Sequence, residues 1–455
     1  MSSRQFPVPN STSSFWRTDL HELDQHRSTP ELPTEADVVI VGAGFAGASL
    51  AYYIYEDNPT PPSVVILEAR EACSGATARN GGHLKPDVYF GLPKHIKKYG
   101  AKAVVEVANF EASQVYAVKE LVEKERIDCD FTLTRACDAT VDEGLARETE
   151  EAHMQLAASG IANLKDVHYT GRKDAERVSG VKGALGAFTF TAGHVWPYKM
   201  VMHLLKIAVG KGANLQTHTP VAHISENPLP DGRWLVTTER GQIKAKKVLL
   251  ATNGYTPNVA PQFKDHIVPV RGICCRIVVP EGRTAPYLPN TYSIRYGPGL
   301  YDYLIPRNDG SIIVGGAKSE FWHNIENWYN VTDDSKLIEP AKHYFDNLMQ
   351  RTYIGWEDSG AYVDKIWTGI MGYSSDWMPY VGDVPGKPGQ MVVAGFSGHG
   401  MPLILLSARG VVQMLRQGKT LEEAGVPALF KATRERLDNT WNDILGCETK
   451  SQPKL

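Results

Sequence analysis

Residues 38–47 read VVIVGAGFAG, and no other segment restricts the fold as much. An apolar, β-branched run stops at a glycine turn, and a helix-forming segment follows. Strand, turn and helix in that order open a parallel βαβ unit. Gly42, Gly44 and Gly47 supply the pattern G-x-G-x-x-G. The first permits the tight turn, the second lets backbone approach a pyrophosphate, and the third allows close helix–strand packing. The helix N-terminus adds free N–H donors and a partial positive charge. A second apolar strand, SVVILE, ends at Glu68, at the spacing of about twenty residues that the fingerprint requires. A carboxylate there accepts hydrogen bonds from both ribose hydroxyls and repels a 2′-phosphate. Dinucleotide binding is therefore expected at Gly42, Ala43, Gly44, Phe45, Ala46, Gly47, Glu68, Ala69 and Arg70. These residues alone leave FAD and NAD both open.

A similar turn closes the chain. VVAGFSGHGM, residues 392–401, again runs from an apolar strand through glycines into a helical segment, PLILLSARGVVQML. Between the two turns, the apolar strand KVLL feeds ATNGY, which contributes Ala251, Thr252, Asn253 and Gly254. A simple NAD domain has no use for small-residue strand ends so far along the chain.

The chain has 455 residues, 42% of them hydrophobic and 22% charged, with a net charge of -3. That suits one large interlocked unit or two domains, and it gives no field for a nucleic-acid partner. Lys94, Lys97, Lys98 and Lys102 read as a solvated helix face. The six cysteines lack metal-ligand or CxxC spacing, so no metal site is expected and a reduced intracellular setting fits. No run of eighteen apolar residues occurs, so no membrane span is expected. The terminal Pro453, Lys454 and Leu455 resemble the peroxisomal S-K-L address, which makes cytoplasm or peroxisome the expected location.

Apolar spacing predicts helix through residues 92–125, then a strand in FTLTRACDATV, then strands in WLVTT, QIKAKKVLL, IVPVRGICCRIVV, YDYLIP and SIIVGGA. The strand-rich middle interrupts an α/β pattern that returns at the C-terminal end. The expected organisation alternates two domains along the chain. An N-terminal arm (1–35) precedes a dinucleotide domain in three segments (36–90, 191–265, 361–445), interleaved with a substrate domain in two (91–190, 266–360), before a tail (446–455).

Four motifs now stand in order: VGAGFAG with Glu68, SGATARNGGHLKP, ATNGYT and GFSGHGM. Together with WTGIMGYSSDWMPYVG they resemble the D-amino-acid-oxidase superfamily of FAD-dependent oxidoreductases, closest to the gamma-glutamylputrescine oxidase branch and its fungal relatives. The resemblance spans residues 36–420. It implies an α/β fold, with a Rossmann-like FAD domain of the two-dinucleotide-binding type interlocked with an α+β substrate domain on a mostly antiparallel sheet. The first turn would hold the FAD pyrophosphate, and the last would hold the ring. In the SGATARNGG segment the resemblance points to Gly75, Ala76, Thr77, Arg79, Asn80, Gly81, Gly82, His83 and Leu84 as cofactor contacts. It adds Val221 at the adenine, Trp367, Gly369 and Met371 beside the ring, and Gly398, His399, Gly400 and Met401 at the last turn.

Departures from the family shape the rest. The Cys and His that tether FAD in some relatives are absent, with Asn80 at the latter position, so FAD is expected to be non-covalent. The Arg that anchors a substrate carboxylate in some oxidases falls in the segment where Met371 lies and is absent here, and the Lys of sarcosine-type oxidases two residues after the SGHG turn is Pro402. Arg271, Arg307 and Lys85 are substitute candidates. Tyr301, Tyr303, Trp367, Tyr373 and Trp377 could cage an amine. His83, Tyr303, Arg307, Trp367 and His399 form the expected catalytic set. The implied activity is oxidation of an amine or amino acid by hydride transfer to flavin N5, hydrolysis of the imine, and reoxidation by O2 to H2O2. No Lys stands in the strand SIIVGG, where relatives place one for oxygen, and Lys318 lies just beyond. A dehydrogenase with another acceptor, a biosynthetic oxidase of an amine-containing product, and a non-catalytic flavin-binding protein stay open.

Overall fold

The computed structural model describes residues 6–448. Two sheets organise them. The first is centred on Glu35–Val41, which pairs in parallel with Gly241–Leu250 on one side and Val64–Leu67 on the other. Gln390–Ala394 and Asn214–Gln216 extend it in parallel at the two ends. Tyr380–Asp383 caps one edge antiparallel, and an antiparallel hairpin of Val221–Ile224 and Trp234–Thr238 joins at Gly241–Leu250. Its central strands are apolar on both faces because both are covered. Helix Phe45–Tyr55 is buried at every residue, flanked by helices Pro197–Gly210 and Ile404–Gln417. That explains its continuous run of small and apolar residues in place of an amphipathic stripe.

The second sheet is mostly antiparallel. Its long strands Ile267–Val278 and Tyr362–Ser374 pair along their whole length. Leu300–Pro306 and Thr291–Gly297 follow, and Thr132–Thr140 pairs with Thr291–Gly297 in parallel. His83–Leu84 pairs with Gly186–His194 at the far edge, so the SGATARNGG segment crosses from the first sheet to the second. The α/β architecture expected from the motifs is the one the chain adopts.

The helical stretch 92–125 is two helices, Leu92–Tyr99 and Ala101–Glu125, broken at Gly100, whose φ of 82° no helix tolerates. The arm lies against the body. Trp16 is fully buried, and its Nε1 donates to the Asn80 carbonyl at 2.6 Å. No helix among the described residues is long and apolar enough to cross a membrane. Residues 453–455, with their address-like ending, lie outside the described residues.

Candidate active site

Both glycine turns open on one cavity of about 530 Å3 that runs between the sheets. At its first end, Gly42 takes φ 107°, and a Cβ there would stand 2.6 Å from the Ala251 carbonyl oxygen. A Cβ on Gly47 would stand 1.9 Å from the Gly42 carbonyl oxygen. Only glycine allows the helix to start this close to the strand end. Glu68 accepts the Ala43 N–H at 2.8 Å and the Arg70 N–H at 3.0 Å. Its carboxylate is thereby fixed at the cavity wall. Val221 lines the same end.

At the other end, Gly398, His399, Gly400 and Met401 line the cavity ahead of helix Ile404–Gln417. Helix Ala101–Glu125 grips this turn with two buried polar residues one turn apart. Glu111 meets His399 Nε2 at 2.7 Å. Gln114 donates to the Met401 carbonyl and accepts the Leu406 N–H, both at 2.9 Å. Burial works to lower the His399 pKa, but the Glu111 carboxylate outweighs it and holds the imidazole above its ordinary value.

Across the cavity, His83 and Tyr303 meet edge to face, with ring centroids 5.4 Å apart. Both His83 ring nitrogens are buried without a partner. Burial, with Lys85 nearby, pushes its pKa well below the ordinary value and keeps the ring neutral. Asp138 is 1% exposed. It accepts from Lys85 Nζ, from the Tyr89 hydroxyl at 2.9 Å and from Arg295 Nη2 at 3.1 Å. Burial alone would raise its pKa, but the two cations lower it below the usual carboxylate value.

A family model described as DAO, FAD dependent oxidoreductase, matches residues 37–414. The chain belongs to this family. Gamma-glutamylputrescine oxidoreductase of Escherichia coli (strain K12) is 24% identical over 417 residues, covering 89% of each chain. Glycine oxidase of Bacillus subtilis (strain 168) is 22% identical over 393 residues, 83% of this chain and 91% of that one. Among solved structures, glycine oxidase from Geobacillus kaustophilus superposes with a TM-score of 0.70 at 20% identity, covering 88% of this chain and 99% of the other. L-alpha-glycerophosphate oxidase from Mycoplasma pneumoniae with FAD bound gives 0.63 at 16% identity, covering 86% and 98%.

The residues present fit FAD. The glycine-only contacts at Gly42 and Gly47, the fixed Glu68 carboxylate and a cavity continuous to the second turn suit a long dinucleotide. Of the expected cofactor residues, all line the cavity except Ala43, Gly47, Gly82, Leu84 and Trp367. Ala43 and Gly47 shape the turn from behind. Gly82 donates to Asn80 Oδ1 at 2.7 Å, and Leu84 is fully buried.

Three expectations are corrected. Trp367 is fully buried off the cavity, and its Nε1 donates to the Arg79 carbonyl at 2.9 Å. Arg307 also lies off the cavity. It pairs with Asp130 at 2.8 Å, over the rings of Phe15, Trp16 and Trp196. Neither reaches a reacting group. Arg79 lines the cavity, but its five N–H donors go to Ser74, Thr12, Thr368 and Ser11, leaving none for phosphate or ring. It ties the arm to the body. The anchor candidates also change standing, because Lys85 is held by Asp138 and Arg271 donates to the carbonyls of Asn327 and Asp333. The sequence reading missed Glu111, Asp138 and Arg295. Glu111 and Gln114 carried a signal, being polar residues at helical spacing on an otherwise apolar face.

Proposed function

We propose that the chain is an oxidase of amines or amino acids, with His83 facing the reacting end of the substrate. The two relatives named for gamma-glutamylputrescine and glycine support that substrate class. The single observation that carries the site assignment is His83. It is a neutral imidazole with two partnerless nitrogens in the wall of the cavity that both glycine turns share.

Bound FAD supplies a two-electron acceptor for the carbon–nitrogen bond, with dioxygen as terminal oxidant and hydrogen peroxide as product. It is held without a covalent link by the two turns. The chain supplies the rest. An ammonium cannot release electron density to its α-carbon, so the substrate must shed a proton. Lys318 lines the cavity, and like charge lowers the pKa of a bound ammonium. A His83 ring nitrogen takes the proton as the ammonium N–H bond breaks, and the electron pair stays on the substrate nitrogen. The N–H groups of the turn at 398–401 favour negative charge where they face the cavity. Tyr303 keeps the His83 ring upright.

The test is anaerobic absorbance of the yellow holoprotein against a panel of amines, followed by air. Bleaching with an amine and rapid recovery in air is expected. Bleaching without recovery would replace dioxygen by another acceptor. No bleaching with any amine would sink the reading.

A further inference from the structure

Lys318 is the first residue of helix Lys318–Phe321, just past strand Ile312–Gly315. Its Nζ lies 4.4 Å from the ring centroid of Trp322 and 5.0 Å from that of Tyr301. Lys318 lines the cavity and, among the described residues, its Nζ makes no hydrogen bond or ion pair. Tyr301 is shared. Arg295 Cζ stands 5.7 Å from the same ring, and 3.5 Å from that of Phe90. Arg295 Nε has no partner. The one carboxylate that Arg295 meets, Asp138, also serves Lys85.

Lys85 and Arg295 thus share the Asp138 carboxylate, and Lys318 pairs with none. Asp87 also favours the Arg295 cation, while its oxygens accept the N–H groups of Phe90 and Gly91, and Glu111 meets His399. A sheltered ammonium with only aromatic neighbours keeps part of its desolvation cost unpaid. A ligand that brings an anion removes that cost and gains charge-assisted hydrogen bonds.

We propose that Lys318 and Arg295, which share the ring of Tyr301, dock a carboxylate on the substrate. The substrate is then an amine that carries an acid group, and a diamine is rejected because its second ammonium meets like charge. This rests on the amine-oxidase reading and narrows it. It also assigns the anchoring role to residues outside the Met371 segment and away from Pro402.

The test uses the holoprotein and two amine-free probes, propionate and its neutral counterpart propionamide. The readout is the visible flavin spectrum. Propionate is expected to give a saturable shift and propionamide none. Lys318→Gln should weaken propionate by at least about tenfold, whereas Lys318→Arg should stay within about threefold. The FAD-to-protein ratio should not change in either variant. No saturable shift with propionate, equal binding of the two probes, undiminished propionate binding in Lys318→Gln, or loss of FAD from that variant would each overturn the proposal. A second arm compares ω-amino acids with alkylamines and diamines of equal length for anaerobic bleaching. If alkylamines and diamines bleach as fast as the acids, the carboxylate site falls while amine oxidation stands. If propionate binds through Lys318 but no amine bleaches the flavin, the carboxylate site stands and amine oxidation falls.

Discussion

Asn253 Oδ1 accepts the backbone N–H of Gly395 at 3.0 Å. One side chain therefore ties the strand end at Leu250 to the strand end at Ala394, and so joins the middle of the cofactor groove to its last turn. Removing it in Asn253→Ala leaves a buried N–H without an acceptor, at a cost of about 1–3 kcal/mol. The purified variant should carry less FAD per chain and unfold at lower urea. Asn253→Asp keeps an acceptor oxygen in place and should retain more FAD than the alanine variant.

The contact between His399 and Glu111 gives a pH dependence of known sign. The folded His399 pKa is raised, so the imidazole binds its proton more tightly folded than unfolded. Its contribution is complete below the unfolded value of about 6.5 and is lost as pH rises through the folded value. Thermal melting of the holoprotein should show wild type ahead of Glu111→Gln at about pH 6, with the margin shrinking towards about pH 9. A margin that grows with pH would contradict the assignment.

Asp138 is the sole salt-bridge partner of Lys85 and Arg295 among the described residues. Asp138→Ala leaves two sheltered cations unpaired and should destabilise the fold by about 3–5 kcal/mol. Equilibrium urea denaturation measures it. A loss under about 1 kcal/mol would mean that water already solvates the pair.

Arg79 gives three of its five donors to the arm, at Ser11 and Thr12, and the other two to Ser74 and Thr368. Arg79→Met should free residues near Ser11 and Thr12 for limited proteolysis, with cleavage sites read by mass spectrometry. Arg79→Lys should not rescue, because an ammonium has three donors and no planar fork. Equal cleavage of wild type and variant would show that the arm is held elsewhere.

Much of the fold was legible locally. The βαβ opening, Glu68 at the second strand end and the late glycine turn declare themselves by pattern, because backbone geometry at those points admits few residue types. What was not legible depends on pairs remote in sequence. Glu111 and His399 are 288 positions apart, and nothing in either neighbourhood names the other. Trp367 and Arg307 were misread because an aromatic ring or a guanidinium serves a core as readily as a site, and only burial separates the two uses. Arg79 was read as a cofactor ligand because most of its acceptors lie on an arm whose path no motif predicts. Lys318 is the reverse case, a residue that pattern set aside and that its surroundings bring back.

The hydrogen bonds of Thr12 have a consequence in time. Its hydroxyl accepts the Thr368 N–H at 3.0 Å, and its N–H donates to the Asp334 carbonyl at 2.8 Å. Thr12, among the first residues to leave the ribosome, must therefore wait for more than three hundred further residues before these partners exist. The dinucleotide sheet waits longer still, for Gln390–Ala394. No nascent N-terminal fragment can hold a finished cofactor groove, so flavin capture is a late event of biosynthesis, and a chain interrupted before the last turn emerges colourless.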